Sequence, residues 1–111
     1  MKIIFLGNKN INLINLLRDL LLYIIMNIIN NKFIIKDKIG NGKFGEVYKG
    51  FQIKTKEIVA IKMESLDNKF RILKRETTIL NYLSRNKIKQ IPKIYWYGSF
   101  NNNTCTIMQF F

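Results

Sequence analysis

The 111 residues support one domain, with about 60–65% of the unfolded surface buried at this size. An apolar fraction of 48% excludes a disordered chain, and a single Cys105 with no histidine excludes an internal disulfide and a Cys/His zinc site. The net charge of +12 favours acidic partners, but the lysines are scattered and Ile, Asn and Lys dominate throughout, so no specific nucleic-acid partner is expected.

The chain divides near Asn30-Asn31 into residues 1–30, an apolar, Asn-rich extension, and residues 31–111. In the extension, Ile11, Ile14, Leu17, Leu20, Leu21, Ile24, Ile25 and Ile28 recur at helical spacing, with Asn12, Asn15, Asp19 and Asn27 on a narrow polar stripe. The uninterrupted apolar stretch Leu20–Met26 is far short of a membrane span, Arg18-Asp19 sit in the middle of the helix, and no small-residue cleavage site follows the apolar run. Membrane association is therefore not expected. A reduced cytoplasmic or nuclear setting is the expectation from cysteine usage.

The second part reads as strands around one helix. Phe33–Ile39 is a strand that runs into a glycine loop, and Glu46–Gln52 is its return. Lys54-Thr55-Lys56 turns the chain into Ile58–Met63, which is almost continuously apolar and so reads as buried. A helix from Phe70 to about Arg85 follows, with Ile72, Ile79, Leu80 and Leu83 on one face; Pro92 lies beyond its end. Lys93–Phe100 and Thr104–Phe110 form a hairpin around Asn101-Asn102-Asn103. The expected fold is α+β, a five-stranded antiparallel sheet with one packed helix, preceded by the apolar N-terminal helix.

Two features carry chemistry. Gly40-Asn41-Gly42-Lys43-Phe44-Gly45-Glu46-Val47 reads G-x-G-x-x-G-x-V. Gly40, Gly42 and Gly45 lack a Cβ, so this backbone turns sharply and approaches a polyphosphate closely, with Phe44 at the tip as a screen. Taken alone, the loop reads equally well as a glycine-rich hairpin without a ligand. It is neither a Walker A motif nor a dinucleotide fingerprint, because no G-K-[ST] follows and a strand comes next. The second feature is Lys62, a cation inside the buried strand, which is costly unless paired. Glu76 falls on the apolar face of the helix, four residues after Ile72 and three and four before Ile79 and Leu80. An inward Lys62 and an inward Glu76 explain each other as an ion pair.

Together, the glycine loop and Val59-Ala60-Ile61-Lys62 match the opening of the protein-kinase signature set. From about Asn31 to Phe111 the chain resembles the N-terminal lobe of a protein kinase, most closely that of the casein kinase I family of serine/threonine kinases. The phrase Ile91-Pro92-Lys93-Ile94-Tyr95-Trp96-Tyr97-Gly98 is typical of that family. The resemblance implies that the loop from Gly40 to Val47 covers ATP and that Ile39, Val47 and Ala60 line the adenine pocket. It implies that Lys62 holds the α- and β-phosphates, that Glu76 orients Lys62, that Met108 is the gatekeeper, and that Gln109, Phe110 and Phe111 begin the hinge. Asn41 and Lys43 stand where the family has small serines, Leu80 where it often has Tyr, and Gln109 in place of the hinge Glu.

The resemblance further implies Mg·ATP-dependent phosphorylation of protein serine or threonine, with acidic partners favoured by the charge. No H-R-D, D-F-G or A-P-E phrase occurs in the 111 residues. The catalytic base and the Mg²⁺ ligands therefore belong to a second lobe, and this chain alone is expected to be inactive. Met26 lies where family members begin, and Asn31-Lys32-Phe33 echoes their first phrase, so Met26 is the expected native start. The alternatives are a non-catalytic interaction module and a basic nucleic-acid-binding domain.

Overall fold

A computed structural model describes residues 3–6, 9–41, 45–68, 71–87 and 90–111. The fold is α+β, and the described residues form two helices and a six-stranded antiparallel sheet. Ile3–Leu6 (β1) and Lys9–Asn12 (β2) pair as a separate two-stranded hairpin ahead of the first helix, Leu13–Asn27 (α1). α1 starts two residues later than the apolar spacing suggests. Asn12 is its N-cap, its Oδ1 accepting hydrogen bonds from the backbone N–H groups of Ile14 (2.9 Å) and Asn15 (3.3 Å).

The main sheet runs β3-β4-β5-β6-β8-β7. Its strands are Ile28–Ile29 (β3), Phe33–Asn41 (β4), Gly45–Gln52 (β5), Ile58–Ser65 (β6), Ile94–Phe100 (β7) and Asn103–Gln109 (β8). The helix Ile72–Arg85 (α2) connects β6 to β7.

The expectation of five strands is corrected to six. The added strand, β3, lies within the extension read as helical from its sequence. α1 ends at Asn27, and Ile28 already has extended backbone (φ −90°, ψ 132°). Asn30 and Asn31 then take positive φ (52° and 55°), as a type I′ turn requires, and Lys32 N–H donates to the Ile29 carbonyl at 3.1 Å. This turn folds Ile28 and Ile29 back onto Ile34 and Phe33. The same chemistry recurs at Asn101 and Asn102 (φ 46° and 62°), which join Phe100 to Asn103 in the β7–β8 hairpin.

Alternation sorts each strand into two faces. On β6, Val59, Ile61 and Met63 enter the core with Ile29, Phe33, Ile35, Cys105 and Ile107. Tyr48, Tyr95, Trp96 and Phe100 pack against that cluster. Phe33 on β4 and Tyr95 on β7 lie far apart in strand order, yet their rings stack with centroids 6.4 Å apart. The sheet is therefore curled until it nearly closes. Burial pushes the Cys105 thiol up to about 12.

Three glycines are required by contact, among them Gly50, where a Cβ would lie 2.2 Å from the Ile34 carbonyl oxygen. A Cβ on Gly45 would lie 1.7 Å from the Met63 carbonyl oxygen of the neighbouring strand. A Cβ on Gly98 would lie 2.3 Å from Cζ2 of Trp96, so the indole lies over Gly98 and the W-x-G phrase is a packing unit.

Candidate functional site

The second face of β6 carries Ala60, Lys62 and Glu64. Lys62 lies directly opposite Val47 on β5 and Thr106 on β8, and Ala60 lies opposite Lys49 and Met108. Directly opposed residues share a face. Val47, Ala60, Lys62 and Met108, all selected from sequence, are thus brought together by strand register. Met108 is buried. The surface formed is apolar at Val47, Ala60 and Met108 and cationic at Lys62 and Lys49.

α2 covers the Lys62 end. Lys62 Nζ donates to Glu76 Oε1 in an ion pair whose side chains are 30% and 28% exposed. The pair inferred from sequence is therefore present, although the helix face differs from the expected one. Leu73 and Thr77 are the buried residues of α2, whereas Ile79 is 58% exposed. Leu73, Glu76, Thr77 and Leu80 follow one another at 3.6-residue spacing, and Ile79 lies off that stripe. The helix also starts at Ile72; residues 69 and 70 lie outside the described residues.

The glycine loop is described at its two ends. Gly40 and Asn41 close β4, opposite Val47 and Glu46, and Gly45 opens β5. Gly42, Lys43 and Phe44 lie outside the described residues. Among the described residues, no heavy atom lies within 4 Å of a Cβ built on Gly40, apart from its chain neighbours. Ile39 falls at a register irregularity between Lys38 and Gly40 and is exposed.

The far side of this hairpin is braced by charge. Lys38 Nζ lies 3.1 Å from Glu46 Oε1, and the Tyr48 hydroxyl donates to Glu46 Oε2. The Tyr48 hydrogen bond, and then that of Lys38, hold the Glu46 carboxyl below its ordinary value; the same carboxylate pushes the Tyr48 phenol up.

At the opposite end, Gln109 closes β8 and joins the chain at Lys93. Its N–H donates to the Lys93 carbonyl at 2.8 Å, and its Oε1 accepts from Lys93 N–H at 3.3 Å. Phe110 follows, with the Lys49 ammonium 5.3 Å from its ring centroid. Phe111 is 74% exposed.

Three residues of this face were not identified from sequence. Thr77 and Thr106 hydrogen-bond through their hydroxyls at 2.6 Å, and both are buried. Glu64 is 2% exposed. Its signal was available, since it lies two residues beyond Lys62 on the same strand face. Among the described residues, no group of three or more His, Cys, Asp or Glu side chains could hold a metal ion, and no helix is long and apolar enough to cross a membrane. Scanned against models of known protein families, the chain matches none.

Proposed function

We propose that residues 31–111 form the ATP-binding lobe of a casein kinase I-like serine/threonine protein kinase. The observation that carries this reading is the Lys62–Glu76 ion pair, set on the same sheet face as Val47, Ala60 and Met108 and beside the glycine loop. A paired, part-exposed ammonium next to an apolar surface suits a ligand with a flat apolar base at one end and phosphates at the other. Val47, Ala60 and Met108 receive the base. Lys62 donates to phosphate oxygens, and Glu76 limits the rotamers from which it does so. Among the described residues nothing crowds Gly40, which suits close backbone approach to the phosphates.

In this reading the intact enzyme transfers the γ-phosphoryl group of Mg·ATP to a protein hydroxyl. The catalytic base and metal ligands that such transfer requires are not among these 111 residues, so the property to test here is nucleotide binding. ATP is expected to raise the thermal unfolding midpoint of the chain, because it binds the folded state alone. Lys62→Ala is expected to reduce that rise, as a roughly tenfold or greater loss of affinity would. A rise of equal size in the variant would overturn the assignment of Lys62.

A second reading is a non-catalytic module that binds a partner protein through the same region. It is favoured by the exposed apolar residues Ile39, Ile58, Phe110 and Phe111. In that case ATP leaves the midpoint unchanged in both proteins.

A further inference from the structure

Glu64 is a buried carboxylate that nucleotide binding does not use. Its side chain lies on β6 facing α2, and among the described residues it forms no ion pair. Its Oε2 accepts two hydrogen bonds, from the Asn68 side-chain amide at 3.0 Å and from the backbone N–H of Leu73 at 3.2 Å. Leu73 is the second residue of α2, in the first turn, where backbone donors have no partner within the helix. Such a donor is ordinarily satisfied by the residue just before the helix. Here that residue is Arg71, in left-handed conformation (φ 47°), with no side-chain cap hydrogen bond. The strand supplies the cap instead, and its negative charge sits at the favourable end of the helix dipole.

The spacing connects this cap to the nucleotide site. Lys62 and Glu64 are alternate residues of one strand, about 6.6 Å apart along it. Their partners, Glu76 and Leu73, are separated by about 4.5 Å along the helix axis and lie on the same helix face. The strand therefore grips the helix at two points, with the cap fixing the end from which Glu76 is measured. The Glu64 backbone is itself tied to β8, because the Thr104 hydroxyl donates to its carbonyl at 3.3 Å.

We propose that Glu64 is a positioning residue for the nucleotide site, capping α2 from the neighbouring strand and so setting where Glu76 meets Lys62. The proposal rests on the ATP-binding reading above. It acts on the phosphate end of the ligand through Lys62 and leaves the base end alone.

The test uses the full 111-residue chain, with ATP and adenosine as probes and amide hydrogen exchange as an independent readout. Glu64→Ala should weaken ATP roughly tenfold, the scale of coupling between neighbouring side chains, and adenosine less than about twofold. Glu64→Gln keeps an acceptor oxygen and should retain ATP affinity within about threefold. In a Glu76→Gln background, Glu64→Ala should cause no further loss. Equal losses for ATP and adenosine, or additive losses in the double variant, would reduce Glu64 to a general structural role and overturn the proposal. Failure of the unsubstituted chain to bind ATP overturns the nucleotide reading itself. Exchange then decides the cap: selective loss of protection near Leu73 in Glu64→Ala sustains it, and unchanged protection refutes it.

Discussion

The hydroxyls of Thr77 and Thr106 meet at 2.6 Å in the buried seam between α2 and β8. Each is the neighbour of one member of the Lys62–Glu76 pair: Thr77 follows Glu76 on the helix, and Thr106 lies directly opposite Lys62 in the sheet. The helix is thus fixed by a neutral hydrogen bond immediately beside a charged one. Because both hydroxyls are sequestered from water, Thr77→Val alone or Thr106→Val alone leaves a buried polar group unsatisfied. Each should cost about 1–3 kcal/mol in urea unfolding. The double variant removes both polar groups while keeping their shape and should be less destabilised than the sum of the two. Additive losses would show that the hydroxyls do not act as a pair.

Tyr95 predicts an alkaline titration. Its hydroxyl donates to Glu57 at 2.6 Å, while its ring stacks on Phe33. The hydrogen bond to Glu57, and then burial, push the phenol from 10.0 to about 12. The folded value lies above the unfolded one, so this contribution to stability is fully present below pH 10 and is lost as the pH rises toward 12. Phenolate absorbance, taken as the difference between the protein and Tyr95→Phe, should titrate near the higher value. Glu57→Gln should bring it back toward the ordinary one. A Tyr95 midpoint unaffected by Glu57→Gln would remove the hydrogen bond as the cause.

A chain beginning at Met26 should keep the fold. It retains β3 and every strand of the main sheet, and α1 contributes no buried residue. What is lost is the apolar groove of about 380 Å³ in which Leu20, Tyr23 and Ile24 face Ile34 and Phe51. Uncovering Ile34 and Phe51 should cost about 1–2 kcal/mol in urea unfolding. ATP affinity should stay within about twofold, since the groove under α1 is lined by none of Val47, Ala60, Lys62 or Met108. Removing the exposed Leu16, Leu17, Leu21, Leu22, Ile25 and their neighbours should also reduce self-association, measured by sedimentation. Loss of cooperative unfolding would instead make α1 part of the folding unit.

Much of the sheet was legible because its punctuation is local. β6 is a short apolar run, and Asn101 and Asn102 turn the chain through left-handed backbone. β3 was obscured because Ile28 and Ile29 continue the apolar run of α1 without a change in residue type. Only their pairing with β4 distinguishes strand from helix. The Lys62–Glu76 pair was legible because each would be costly if buried alone. The inward stripe of α2 was read partly out of phase, since its cap comes from Glu64 on another strand and no local residue marks it. Trp96 and Gly98 were visible as a pattern, but its reason, an indole lying over a residue without a Cβ, is tertiary.

The central claim is that Lys62, held by Glu76, binds the phosphates of ATP. Calorimetric titration of ATP into the full chain and into Lys62→Ala tests it most directly. Saturable one-to-one binding that weakens about tenfold or more in the variant is the predicted result, as expected for loss of a charge-assisted hydrogen bond. No saturable binding by the unsubstituted chain, or equal affinity in the two proteins, would contradict it.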